Sequence, residues 1–269
     1  MQRIIKAALL LLYILIHTAG TAYAKDHDAG MIFKEANNFF LNQQYEEARA
    51  QYESLLKQGY FDPSLLFNLS STYLFLDMRA QAALNLYRAR RLQPRSEDIA
   101  KNIQVINTLI YKGTPIYEAY MSGEKIRYDF SLKSLIRSFT LMSRNELAIS
   151  IFLLYLLFVV WSLLRKLIKP GLPRVFFGTL AALSYLFSIL LITIFIGTFY
   201  LDAFHPQTVV METVELKSSP SEDESYNSSI IVKEGMLLEL IRTYDNWGEV
   251  ITPYDNETGW IKLELLKKL

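Results

Sequence analysis

The chain has 269 residues, with 28 Lys+Arg against 27 Asp+Glu and no cysteine. The even charge balance argues against a nucleic-acid binder, which needs a concentrated basic footprint. The missing cysteines exclude a disulfide framework, a thiolate nucleophile and any Cys-based metal site.

Length alone leaves room for about two domains, but the apolar residues gather in three runs: the N-terminus, 147–164 and 175–201. The first run follows Arg3 and Lys6 and extends from Ala7 to Ile16. After it, "AYA" at 22–24 places alanine at the two positions a signal peptidase reads. Residues 1–24 are therefore expected to be a secretory signal peptide, with an uncleaved anchor as the rival. Under either reading, residue 25 onward starts outside the cytoplasm.

From 28 to 111 a step of 34 residues relates small and aromatic positions. Ala36 maps to Ser70, Phe39 to Tyr73, Ala48 to Ala82, Tyr52 to Leu86, Leu55 to Ala89 and Asn68 to Asn102. Small residues would let paired helices approach closely, and aromatics beside them would fill the remaining space. Pro94 ends the second hairpin; the first has Tyr60 at that place, with Pro63 opening the next helix. The pattern resembles the tetratricopeptide repeat. The resemblance implies an all-α solenoid of two hairpins, 29–62 and 63–96, closed by a capping helix near 97–111.

Members of that family hold a peptide or partner helix on a concave face, some by clamping a terminal carboxylate with Lys and Asn. Asn37 and Asn68 match the clamp asparagines, but Phe33 and Asp98 stand where lysines would. The groove implied here is apolar instead, and its expected partner-binding residues are Phe33, Asn37, Phe40, Phe67, Asn68 and Phe75. The same aromatics could equally be repeat core, or pack on the Tyr-rich linker at 111–130.

Residues 112–145 form a linker. Within it, 130–144 places Leu132, Leu135, Ile136, Phe139 and Met142 on one helical face, the pattern of a helix lying in a membrane interface or packing on a neighbouring domain. Two transmembrane helices are expected at 146–168 and 175–201, since about 20 apolar residues cross a bilayer as a helix. The connection between them carries Arg165, Lys166, Lys169 and Arg174 and no acid, which places it in the cytoplasm. Lys133, Arg137 and Arg144 lie on the other side, so the charge contrast is modest, and the signal peptide decides the orientation. Both soluble ends are then extracytoplasmic.

After Asp202 the pattern changes to short β-like runs: "TVV", "SIIV", "MLLELIRT", "GEVIT" and "GWIKL", separated by turn residues. Several strands in about 60 residues suggest a small all-β barrel over 205–269. The order "EG…WGEV…GWI" resembles the bacterial SH3-like domain. In that arrangement Trp247 would seal the barrel end, Val250 would point inside, and Gly259 would allow a tight turn before Trp260. Tyr244, Trp247, Tyr254 and Trp260 could form a ligand surface, although a structural role is the stronger expectation for the tryptophans. "SEDES" at 221–225 reads as a solvated loop, and His27 and His205 as solvated surface histidines.

No nucleophile motif, phosphate loop or zinc-protease helix sits in a supporting context, so no catalytic residue, cofactor or metal is expected and the chain reads as a non-enzyme. The whole-chain order of signal peptide, helical repeats, membrane hairpin and SH3-like barrel resembles the BatE-like members of the Bat (aerotolerance operon) family. The resemblance implies a multidomain scaffold of the bacterial cytoplasmic (inner) membrane with both soluble modules in the periplasm. Implied partners are Bat membrane proteins with von Willebrand A domains and, indirectly, a MoxR-type ATPase; stress tolerance is the family's association. A second reading is a peptidoglycan-binding or sensing protein that uses the C-terminal barrel, and a membrane enzyme with an unfamiliar site is a distant third.

Overall fold

A computed structural model describes residues 28–114, 117, 136, 142–252 and 257–269. The expected signal peptide, most of the expected interfacial helix, His27 and Tyr254 lie outside these residues. The chain divides into two compact units, Met1–Met78 and Arg79–Leu269. The division falls inside the 28–111 span.

Among the described residues the first unit holds three helices: α1 over 28–41, α2 (Tyr45–Lys57) and α3 (Pro63–Phe75). Its sequence starts and stops them locally. Asp62 caps α3 by accepting from the backbone N–H of Ser64 at 2.8 Å, and Pro63, which has no N–H to satisfy, occupies the first turn. Gln43 takes a left-handed φ of 62° between α1 and α2. The small residues Ala36, Ala48 and Ser70 are buried, as are Tyr52, Leu55, Leu66, Leu69 and Tyr73. Fully burying a leucine such as Leu66 or Leu69 contributes about 1.5–3 kcal/mol.

The second unit opens with a helical hairpin, α4 (Arg79–Leu92) and α5 (Glu97–Tyr111). Ser96 caps α5 through the N–H of Ile99, and Tyr87 on α4 donates to Asn107 on α5 at 2.6 Å. Two long apolar helices follow: α6 (Arg144–Leu167) and α7 (Leu172–Phe204). Both are long and apolar enough to cross a membrane. Ser143 and Glu146 close a reciprocal capping box at the start of α6.

The two apolar helices pack antiparallel. Trp161 lies 5.7 Å from Phe177, Phe158 lies 5.5 Å from Tyr185, and Arg144 stands over the ring of Phe199. Ala181, Ser184 and Ser188 are buried on α7, so small side chains mark its inward stripe. The remaining surface exposes large apolar side chains such as Phe152, Leu163, Leu186 and Phe187.

Only His205 and Pro206 separate α7 from the first strand. Seven strands form one antiparallel sheet: β1 (Gln207–Val210), β2 (Val214–Lys217), β3 (Asn227–Val232), β4 (Leu237–Tyr244), β5 (Trp247–Ile251), β6 (Thr258–Lys262) and β7 (Leu266–Lys268). Their order is β3-β2-β6-β5-β4-β1-β7. The five predicted runs are present, and β2 and β7 are additions. Val209, Val210, Leu216, Val232, Leu238, Val250 and Ile261 are buried, so Val250 points inward as the pattern predicts.

Gly259 serves a different purpose from the predicted turn. It sits within β6 opposite Val250, and a Cβ there would lie 2.8 Å from the Cβ of Leu216. The strands approach too closely at this point for any side chain. Gly235, at φ +83°, is set against Ile110 of α5, where a Cβ would meet the Ile110 Cδ1 at 2.5 Å.

Candidate functional site

The predicted groove residues fall into two groups in the first unit. In one, Asn37 Oδ1 accepts two donors: the Tyr52 hydroxyl at 2.5 Å and the Asn68 amide at 2.9 Å. Phe33 packs against Tyr52, with ring centroids 5.9 Å apart. Asn37 and Asn68, the two predicted clamp positions, thus bond to each other. Burial pushes the Tyr52 hydroxyl up to about 12, partly offset by the nearby Asn68 amide. Burial likewise raises Tyr73, and its 2.8 Å bond to Glu53 raises it further.

The second group is an aromatic cluster. Phe40 meets Phe75 edge-on at 5.6 Å, and Tyr45 stacks on Phe75 at 4.6 Å with planes 4° apart. Phe75 remains 62 % exposed, an arrangement suited to offering an apolar ring to a partner. Tyr45, which is not among the predicted residues, opens α2 directly after the turn at 42–44 and stacks on Phe75. Phe67 is half-buried on α3.

In the sheet, Trp247 and Trp260 are each only 9 % exposed, whereas Tyr244 is 65 % exposed. Tyr244 pairs in register with Trp247 across the β4–β5 hairpin. Arg242 lies over the Trp260 ring at 5.4 Å and is held by Glu249 at 2.5 Å. That bond holds the Arg242 guanidinium above its ordinary value. The tryptophans pack inside the sheet, and among the described members of the predicted surface Tyr244 is the exposed one. His205, expected to be solvated, is half-buried at the end of α7, with Nδ1 3.3 Å from the carboxylate of the buried Glu239. The cause is the two-residue link, which draws it onto β4.

A third site joins elements of the second unit and was not anticipated. Asp202, near the end of α7, accepts from Arg91 of α4 at 2.7 Å through Oδ1 and pairs with Arg144 of α6 through Oδ2. Arg88 donates to the carbonyl of Lys268 at 2.9 Å, and Arg95 pairs with Glu146. On the other side of the hairpin, the Tyr111 hydroxyl accepts from the Leu237 N–H, and Lys233 donates to the Lys112 carbonyl at 2.9 Å. The helices α4 and α5, the apolar pair and the sheet are thereby fixed to one another. The sequence signal was present in the acid that ends the charge-free 175–201 run and in the "RARR" of α4.

A cavity of about 270 Å³ lies beside this contact, lined by Arg79, Ile110, Lys112, Lys233 and Glu234 among others. Among the described residues, no group of three His, Cys, Asp or Glu could hold a metal ion. Comparison with protein-family models, with curated proteins and with solved structures found no match for the chain.

Proposed function

We propose that the chain is a membrane-anchored adaptor that presents protein-interaction modules at one membrane face. In this reading α1–α5 are tetratricopeptide-like hairpins with a cap, α6 and α7 cross the inner membrane, and the C-terminal sheet is an SH3-like barrel in the periplasm. The observation that carries the proposal is the Asp202 site. It ties α4, the start of α6 and the end of α7 together, so the α4–α5 hairpin stands at the same end of the apolar helix pair as the sheet that follows α7. The outward apolar surface of that pair suits lipid, because contiguous exposed apolar patches of such extent are rare on soluble monomers.

The exposed Phe75, backed by Phe40 and Tyr45, supports the first unit as the partner-binding module. The partner implied is a Bat membrane protein with a von Willebrand A domain. Peptidoglycan binding through the tryptophans has less support, because both are buried. The test is co-purification of the detergent-solubilised chain with such a partner expressed beside it. Capture should be lost on Phe75→Glu; undiminished capture by that variant overturns the groove reading. A reporter at residue 170 that proves accessible from the periplasm overturns the topology.

A further inference from the structure

We propose that the basic turn between α6 and α7, which carries Arg165, Lys166, Lys169 and Arg174, is a docking surface for anionic phospholipid headgroups. The inference rests on the membrane-anchored reading above and adds to it a lipid class and the residues that select it.

Charge is the first observation. All four side chains are exposed, and none of them meets a carboxylate among the described residues. Residues 147–201 contain no Asp or Glu. The flanking acids, Glu146 and Asp202, stand at the opposite end of the helix pair, about 28 Å or more along the helix axes. There Glu146 pairs with Arg95, and Asp202 with Arg91 and Arg144. Four positive charges thus remain at the turn with no acid among the described residues to offset them.

Arrangement is the second. The Arg165 side chain crosses to α7 and lies on Gly178, where a Cβ would stand 3.2 Å from its Nε and 3.3 Å from its Cζ. Arg174 precedes Gly178 by one helical turn on the same face of α7. The crossing brings a second guanidinium toward Arg174, and an anion at that face is attracted by both.

Depth is the third. Trp161 stacks on Phe177 at 5.7 Å, one helical turn inside Arg165 and Arg174. Aromatic side chains near the ends of membrane helices sit at the headgroup level, so cations one turn further out meet the phosphates. Leu167 and Leu172, set among the cations, are 81 % and 86 % exposed. A lipid surface covers such side chains as it receives the charges; a dissolved phosphate leaves them in water. Basic residues clustered beside a membrane helix draw anionic lipid in this way. A zwitterionic headgroup brings its own cation and gains less.

The experiment uses the full chain in neutral detergent, mixed in separate arms with phosphatidylglycerol, phosphatidylcholine of the same acyl chains, inorganic phosphate or a polyglutamate peptide. Bound molecules are counted by native mass spectrometry. Phosphatidylglycerol should be retained over phosphatidylcholine. Arg165→Gln and Arg174→Gln should each cut that preference about five-fold, the effect of one interfacial arginine. Both positions are exposed, so circular dichroism of the variants should match the parent. Lys101→Gln, at an exposed position on α5, is the control for net charge and should leave the preference unchanged. Equal retention of both lipids, an unchanged preference in the two arginine variants, or an equal loss in Lys101→Gln overturns the surface while leaving membrane anchoring intact. Phosphate bound as well as phosphatidylglycerol overturns it as a soluble-anion site, and polyglutamate bound more tightly overturns it in favour of an acidic protein segment. A chain that stays monodisperse without detergent and retains no lipid overturns the anchoring itself.

Discussion

Arg91 donates to Asp202 at 2.7 Å although 111 residues separate them. The bond spans the whole apolar hairpin in sequence and closes it in space. Both side chains are about a third exposed, so water screens part of the attraction. A double-mutant cycle of Arg91→Gln and Asp202→Asn should return a coupling of about 1 kcal/mol in thermal unfolding. Strict additivity would mean that the two residues do not support each other.

Tyr52 gives a pH signature. Its folded value of about 12 lies above the ordinary 10.0, so the folded state keeps a proton that the unfolded state has lost between those values. The stability this supplies is complete below pH about 10 and declines as pH rises to about 12. Tyr73 is shifted in the same direction. Tyrosinate absorbance should therefore show two late-titrating hydroxyls that ionise with the alkaline unfolding of the first unit. Tyr52→Phe should remove one of them and cost about 0.5–1.5 kcal/mol, because Asn37 loses a donor.

Gly259→Ala should destabilise the sheet by about 1–3 kcal/mol, since the new methyl group would strike the Cβ of Leu216, which a side-chain rotation cannot move. Gly30→Ala is the control: nothing lies within 4 Å of a Cβ there, and alanine is the better helix former. Denaturant unfolding followed by tryptophan fluorescence for the sheet and by far-UV circular dichroism for the helices of the first unit compares the two, each against the parent. Equal midpoints would contradict the close approach of β6 to β2.

Trp260 and Tyr244 should also separate. Trp260→Ala empties a buried position and is expected to cost about 3–5 kcal/mol. Tyr244→Ala, at an exposed position, should change stability by no more than about 0.5 kcal/mol. Ligand affinity measured on the folded sheet should fall in Tyr244→Ala.

Phe75→Glu should leave unfolding within about 1 kcal/mol of the parent, the size of the aromatic stacking it removes. The same variant abolishes partner capture in the adaptor reading, so the two measurements together separate a binding defect from a folding defect.

The helical and apolar elements were largely legible in sequence. The long apolar helices expected at 146–168 and 175–201 are Arg144–Leu167 and Leu172–Phe204, because charge-free runs of that length are distinctive. The helix predicted near 97–111 is Glu97–Tyr111, marked by Ser96 at its start. The strands β2 and β7 were missed: "VELK" and "LKK" are too short to show alternation, and they are fixed by partners elsewhere in the chain. Gly259 was assigned the wrong reason, since local sequence cannot show which side chain crosses above a strand.

The candidate site was less legible. Asn37 and Asn68 stand at the clamp positions of the resembled family, but the repeat step of 34 does not relate them, and their bond to each other is a tertiary fact. Asp202 read only as the end of an apolar run. Its partners lie on two helices that no periodicity connects, and they also change the view of Arg144. A cation counted against the orientation rule is in fact paired with an acid.

The link of His205 and Pro206 leaves no slack between α7 and the sheet. At 33 residues, α7 is about 50 Å long, well beyond the roughly 30 Å of a hydrocarbon core. In the membrane-anchored reading, a helix of that length leans to fit, and it leans further in a thinner bilayer. The sheet must follow, as must α4 through Asp202. Changes in membrane thickness would then reorient surfaces that never touch lipid.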